Sequence, residues 1–132
     1  MPLFTHLHRV TYSECTIGNH VYYARYLDVL EEARGEFFRH LGVTCQEWQD
    51  RDTLLPVVEC VVRYRCQARY DDLLRTEVKV NRAEGVRIVL SYQILNEAGR
   101  VVVEAETVHA CTTVEGKPKR LPEELKQAAE PK

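Results

Sequence analysis

Tyr23-Ala24-Arg25-Tyr26-Leu27-Asp28-Val29-Leu30-Glu31-Glu32-Ala33-Arg34-Gly35-Glu36-Phe37-Phe38-Arg39-His40-Leu41-Gly42 is the stretch whose reading decides the fold. Apolar residues recur at Tyr23, Tyr26, Leu27, Leu30, Ala33, Phe37, Phe38 and Leu41. That three-and-four spacing marks a helix with one buried face, and it persists for about five turns. Asp28, Glu31, Glu32, Glu36 and Arg39 fill most of the opposite face. Gly42 supplies the stop, because a residue free to turn left-handed closes a helix C-terminus.

Reading outward, the other segments have the period of strands. Upstream, Phe4 to Tyr12 alternates loosely with β-branched and aromatic residues, and Ser13 to Asn19 follows as a turn carrying Gly18-Asn19. Downstream, Thr44 caps a short helix through Trp48. Leu55 to Gln67 is a strand, then Leu74, Thr76, Val78 and Val80 alternate with charged residues. Val86, Ile88, Leu90, Tyr92 and Ile94 do the same, and Val101 to Val114 is the last strand. Turns at Arg69-Tyr70-Asp71-Asp72, Ala83-Glu84-Gly85 and Asn96-Glu97-Ala98-Gly99 separate them, so the last three strands form an antiparallel meander. The order β-α-β-β-β-β gives an α+β domain of two layers, a long helix on a five-stranded antiparallel sheet. One helix covers only one face of such a sheet, so a homodimer is expected.

The 132 residues fit one domain, 1–132, with about 121–132 as a tail in which Pro122-Glu123-Glu124-Leu125 opens a short helix. Twenty acids against 18 bases leave a net charge of -2, which argues against nucleic acid as the main partner. No apolar run reaches the ~18 residues of a membrane span. Met1 to His6 shows no basic region leading into an apolar stretch, so a cytoplasmic location is expected. Cys15, Cys45, Cys60, Cys66 and Cys111 form no C-x-x-C pair, so no metal site is expected, and most are read as small buried hydrophobes.

Chemistry concentrates in Tyr12 to Tyr23, which joins the first strand to the N-terminus of the long helix. Unpaired backbone N–H groups and the helix dipole gather there and can stabilise an oxyanion. Thr16, Asn19 and His20 can orient water or bond a carbonyl, though caps and turns use the same residue types. Arg34 is unusual on an apolar stripe and either pairs with an acid or reaches the site. Tyr22 or Tyr23 can line an acyl pocket.

These residues resemble a known family. Val10-Thr11-Tyr12-Ser13-Glu14-Cys15-Thr16, Val21-Tyr22-Tyr23-Ala24-Arg25-Tyr26-Leu27 and Glu31-Glu32-Ala33-Arg34 resemble the 4-hydroxybenzoyl-CoA thioesterase / YbgC-like branch of the hotdog-fold acyl-CoA thioesterases. Leu55-Pro56-Val57-Val58-Glu59, Ala68-Arg69-Tyr70-Asp71-Asp72, Lys117-Pro118 and Leu121-Pro122 continue the resemblance over nearly the whole chain. It implies a hotdog fold, a homodimer or tetramer with sites at the protomer interface, and hydrolysis of an acyl-CoA or acyl-carrier-protein thioester. Coenzyme A would then be part of the substrate, with no separate cofactor.

Members of this branch carry Asp-x-Asp where this chain has Glu14-Cys15-Thr16, and the second Asp is the family's catalytic carboxylate. A threonine hydroxyl is no base near neutral pH without a partner. Three readings stand. Thr16 holds the attacking water while His20, or Glu59 from the second strand, takes the proton. Alternatively, positioning and oxyanion stabilisation suffice, as in the hotdog thioesterases of enediyne pathways that this sequence resembles in its non-acidic residue and its Val-Tyr-Tyr-x-x-Tyr run. In the third reading the fold binds a thioester, or serves as a scaffold, without turning it over. Helix N-terminal amides at Tyr22 and Tyr23 are the oxyanion candidates. Arg69, Lys117 and Lys119 are the candidates for the phosphates or acidic surface of the thiol carrier, with Arg63, Arg65 and Arg120 as further bases.

Overall fold

A computed structural model describes residues 4–129. Strand β1 (Phe4–Arg9) runs into a short 3-10 turn (Tyr12–Glu14) and a miniature hairpin, β2 (Cys15–Thr16) and β3 (His20–Val21). Helices α1 (Arg25–His40) and α2 (Cys45–Asp50) follow. Then come β4 (Val57–Tyr64), β5 (Leu73–Glu84), β6 (Arg87–Leu95), β7 (Val101–Ala110) and α3 (Glu123–Ala129). The five long strands form one antiparallel sheet in the order β1-β5-β6-β7-β4.

The periods explain the layers. Alternation on β5 and β6 turns Leu74, Val78, Val80, Ile88, Leu90 and Ile94 to one face. Helix α1 lays Tyr26, Val29, Leu30, Ala33, Phe37 and Phe38 into the same core. Fully burying a residue of this size contributes roughly 1.5–3 kcal/mol. Thr44 closes α2 with a reciprocal capping box: the Glu47 N–H donates to Thr44 Oγ1 at 3.2 Å and the Thr44 N–H donates to Glu47 Oε1 at 3.4 Å. Trp48 then packs edge-on against Phe38, with ring centroids 4.7 Å apart.

Several expectations shift. Helix α1 begins at Arg25 because Tyr22 to Ala24 form a turn, and Tyr23 and Leu27 are exposed rather than core. The last strand stops at Ala110, where Cys111 turns its N–H to the Val86 carbonyl at 2.7 Å. The segment read as a tail carries α3, which buries Leu125 and Ala128 beside Leu121, while 130–132 lie outside the described residues. Of the five cysteines only Cys111 is buried; Cys45 and Cys60 are exposed.

Edge strand β4 differs from the others. It is exposed along almost its whole length, although its sequence is rich in valine. Val57, Val58 and Val61 stand 46%, 52% and 38% exposed, because α1 leaves β4 uncovered and, among the described residues, no strand pairs with its outer edge.

Candidate active site

Thr16 to Asn19 is a tight turn closed by the Asn19 N–H on the Thr16 carbonyl at 3.1 Å. Gly18 occupies its third position at φ +90° and Asn19 follows at φ +59°. A side chain at position 18 would be strained by that φ, and its Cβ would lie 3.2 Å from the His20 ring, so glycine is needed twice over. The turn sets Thr16 directly opposite His20 across the β2–β3 ladder. His20 Nδ1 lies 3.3 Å from the Val21 carbonyl, which can only accept. That contact is a hydrogen bond only with a proton on Nδ1, the tautomer that leaves Nε2 as the acceptor nitrogen. Thr16 is exposed, and its hydroxyl has no partner among the described residues. Ile17, at the tip, is 94% exposed.

The approach to α1 separates the two oxyanion candidates. The Tyr22 N–H is occupied by the Glu14 carbonyl at 2.9 Å, which removes it as a donor to substrate. The Tyr23 N–H has no acceptor among the described residues, and the Tyr23 carbonyl is held by the Tyr64 hydroxyl at 3.1 Å. Tyr64 reaches in from β4 and packs against Tyr23 and Tyr26 at centroid distances of 6.3 and 5.6 Å. The Tyr26 hydroxyl accepts from the Ala68 N–H at 3.1 Å, and burial raises its pKa despite that bond.

Arg69 fastens the turn. Its Nη1 donates to the Gly18 carbonyl at 3.2 Å, and its N–H donates to Asp72 at 2.9 Å. The guanidinium bond braces the hairpin and uses one of the five N–H donors of this exposed side chain. Lys119 fastens a different loop. Its ammonium donates to the carbonyls of Arg51 and Asp52 and to Thr53 Oγ1 at 2.9–3.0 Å, which occupies all three of its protons at the end of α2. Lys117 is exposed on the loop after β7 and makes only backbone bonds, to Thr113. Arg65 pairs with Glu104 at 3.2 Å. Glu59 lies on the sheet face opposite α1, in a groove of about 620 Å³ lined with Arg82, Arg87 and Glu106. Alternation puts it there, so within one protomer Glu59 does not join Thr16 and His20.

Behind the turn, Glu14 occupies a junction the sequence did not single out. Its carboxylate accepts from the Thr11 N–H at 2.7 Å, the Thr11 hydroxyl at 3.0 Å and His8 Nε2 at 2.9 Å. Burial would raise the Glu14 pKa, but these donors outweigh it and lower it. Burial and the nearby Glu14 and Asp72 charges push the Cys15 thiol up, so it is no thiolate nucleophile at neutral pH.

A second chain of polar groups crosses the core. Arg34 Nη1 donates to the Tyr92 hydroxyl at 3.2 Å. Tyr92 lies 2.7 Å from Thr107 Oγ1, which lies 2.8 Å from His109 Nε2, and His109 Nδ1 lies 2.9 Å from the Leu55 carbonyl. Arg34 can only donate and the carbonyl can only accept, so every proton between them is fixed in one direction. Burial, with Arg34 nearby, lowers the His109 pKa against the opposing pull of Leu55, which keeps the ring neutral. Arg34 meets no acid among the described residues. It lines a cavity of about 390 Å³ with Glu31, Phe38, Trp48 and Leu55. Sequence reading gave no signal for this chain beyond Arg34 itself, because its other members come from three separate segments.

The family model described as the thioesterase-like superfamily matches residues 10–129. The acyl-CoA thioesterase YbgC of Haemophilus influenzae is 33% identical over 122 residues, which cover 91% of this chain and 89% of the relative. The acyl-CoA thioester hydrolase YbgC of Escherichia coli is 30% identical over 118 residues, 89% of this chain and 88% of the relative. A crystal structure of a 1,4-dihydroxy-2-naphthoyl-CoA thioesterase from Synechocystis superposes with a TM-score of 0.89 at 23% identity, covering 97% of this chain and 96% of that one. That likeness gives the sheet and its central helix their common name, the hotdog fold.

Proposed function

Since the chain belongs to the thioesterase-like superfamily, we propose that it hydrolyses an acyl-CoA or acyl-carrier-protein thioester to a carboxylic acid and a free thiol. The observation that supports this reading is the Thr16–His20 register across the β2–β3 hairpin, followed in the chain by the Tyr23 N–H, which has no acceptor among the described residues. The Thr16 hydroxyl holds the attacking water, and His20 Nε2 takes its proton as oxygen bonds to the carbonyl carbon. The Tyr23 N–H receives the negative oxygen, and Asn19 forms the polar wall of the turn. Collapse of the tetrahedral intermediate expels the thiolate, which leaves with a proton. A thioester is already activated, so a histidine base and an oriented donor suffice without the family's aspartate.

The functional unit in this reading is a homodimer formed along β4 in one hotdog domain, with Lys117 on the exposed loop available to the carrier. Uncovered valines on an unpaired edge support it, each contributing about 1 kcal/mol when covered. Coenzyme A enters only as part of the substrate, and the location is the cytoplasm.

Thiol release from a panel of acyl-CoA and acyl-carrier-protein thioesters tests the proposal. Turnover should appear, and Thr16→Ala should lower kcat/KM by about 10²-fold. Folded protein with no release above background sinks it. One observation favours a second reading, binding without turnover: no carboxylate stands at position 16. Tight acyl-CoA binding without thiol release would establish that reading.

A further inference from the structure

We propose that His8 is a positioning residue for this site: bridging Glu14 and Glu32 as an imidazolium, it ties the turn that carries Thr16 to helix α1. The inference rests on the Thr16 reading for its catalytic consequence. The clamp itself rests on geometry.

His8 Nε2 lies 2.9 and 3.0 Å from the two Glu14 oxygens, and Nδ1 lies 3.0 Å from Glu32 Oε2. Ionised carboxylates only accept, so both ring nitrogens must carry protons for both contacts to be bonds. A neutral ring would set a lone pair against a carboxylate on one side. His6 Nε2 adds a bond to the same Glu32 oxygen at 2.9 Å.

Three elements meet at this ring. His8 belongs to β1, Glu14 ends the 3-10 turn, and Glu32 lies about two turns into α1. Glu14 passes the restraint on. Its side chain closes the Thr11 capping box, and its carbonyl holds the Tyr22 N–H at 2.9 Å, just before the free Tyr23 donor. Cys15 and Thr16, the next two residues, form β2 and face Val21 and His20. A shift of Glu14 is therefore a shift of Thr16 and of the oxyanion donor relative to each other.

Among the described residues no other cation pairs with Glu14. On β5 the residue opposite His8 is the buried, uncharged Leu74, and neighbouring Arg75 turns to Glu77 at 3.7 Å. On β1 Arg9 turns to Asp71. Of the other titratable groups at the turn, Tyr12 is exposed, the Cys15 thiol is protonated, and Asp72, near Cys15, is an acid. Burial would lower the His8 pKa, but the bonds and charges of Glu14 and Glu32 outweigh it and raise it above the ordinary 6.5. The clamp is thus whole below that ordinary value and is lost as pH rises through the raised one. At the acid end it is lost as pH falls through the lowered Glu14 pKa.

His8→Gln, His8→Arg and Glu32→Gln test this by two readouts, amide exchange over 15–23 and the pH dependence of kcat and KM. In the native protein, exchange at Tyr22 should accelerate on the alkaline side while amides of β5 and β6 stay slow. His8→Gln should exchange about tenfold faster at every pH and lower kcat about tenfold near pH 6.5, with KM within about twofold. It should also lose the alkaline fall in kcat. His8→Arg, which keeps the charge, should restore kcat and move that fall to higher pH. Glu32→Gln, at an exposed helix position that does not endanger folding, should give the same changes at smaller size. Unchanged exchange in His8→Gln overturns the clamp, as does an alkaline limb that persists there. Full activity in Thr16→Ala overturns the catalytic reading alone, because the exchange experiment needs no turnover.

Discussion

His8 and His109 both sit largely out of water, yet their surroundings drive them to opposite charge states. His8 lies between two carboxylates, and attraction to them overcomes the cost of burying a cation. His109 lies between a hydroxyl and a carbonyl, with a guanidinium not far off, and stays neutral. Burial pushes both in the same direction, so the chemical kind of the partner decides the outcome. One network is an ionic clamp at the surface end of the site. The other is a neutral, one-directional chain through the core.

The contrast can be broken at its strongest point first. Thr107→Val should leave the Tyr92 hydroxyl and His109 Nε2 facing a methyl group. The loss should be about 2–4 kcal/mol in a urea titration, because buried polar atoms are stranded. His8→Gln should cost less, about 1–2 kcal/mol near pH 6, since its Glu32 partner is 44% exposed and partly screened. That cost should shrink as pH rises through the native His8 pKa.

The sharper test is the slope. Native His8 binds its proton more tightly than the unfolded chain does, so its contribution falls as pH rises. Native His109 binds its proton less tightly, so its contribution falls as pH drops below the ordinary histidine value of about 6.5. The two slopes oppose one another in the intact protein. Stability measured from pH 5 to 9 should tilt upward with pH in His8→Gln and downward in His109→Gln. Parallel curves for the two variants would contradict the assigned charge states. The smallest effect should come from Arg34→Met, which removes one donor from Tyr92 and costs about 1 kcal/mol, with little change of slope.

The frame of the fold was legible because periodicity reports burial. The stripe from Tyr26 to Phe38 and the alternations from Leu74 and Ile88 lie in the core as read. The stripe failed at Tyr23 and Leu27, where the helix start extends beyond what the sheet covers. The β2–β3 hairpin has two residues in each strand, too few for any period, and only Gly18-Asn19 announced it. Within the candidate site, Thr16 and His20 could be proposed together because they are near in sequence. Tyr64, His8 and Glu32 were missed because they arrive from other elements. The main-chain contacts of Arg69 and Lys119 were not legible, because a basic residue looks the same in sequence whether it meets a phosphate or a carbonyl.

Strand β4 has a consequence for how the protein is made. Its free edge can accept any extended segment, and its valines give such an addition a reason to last. Encounter between two copies is second order, whereas folding of each copy is first order. At low concentration each folded copy therefore waits longer with that edge open, in the company of every other chain. Aggregation through that edge is itself second order or higher, so dilution slows it as well, and the two encounters compete for the same open surface.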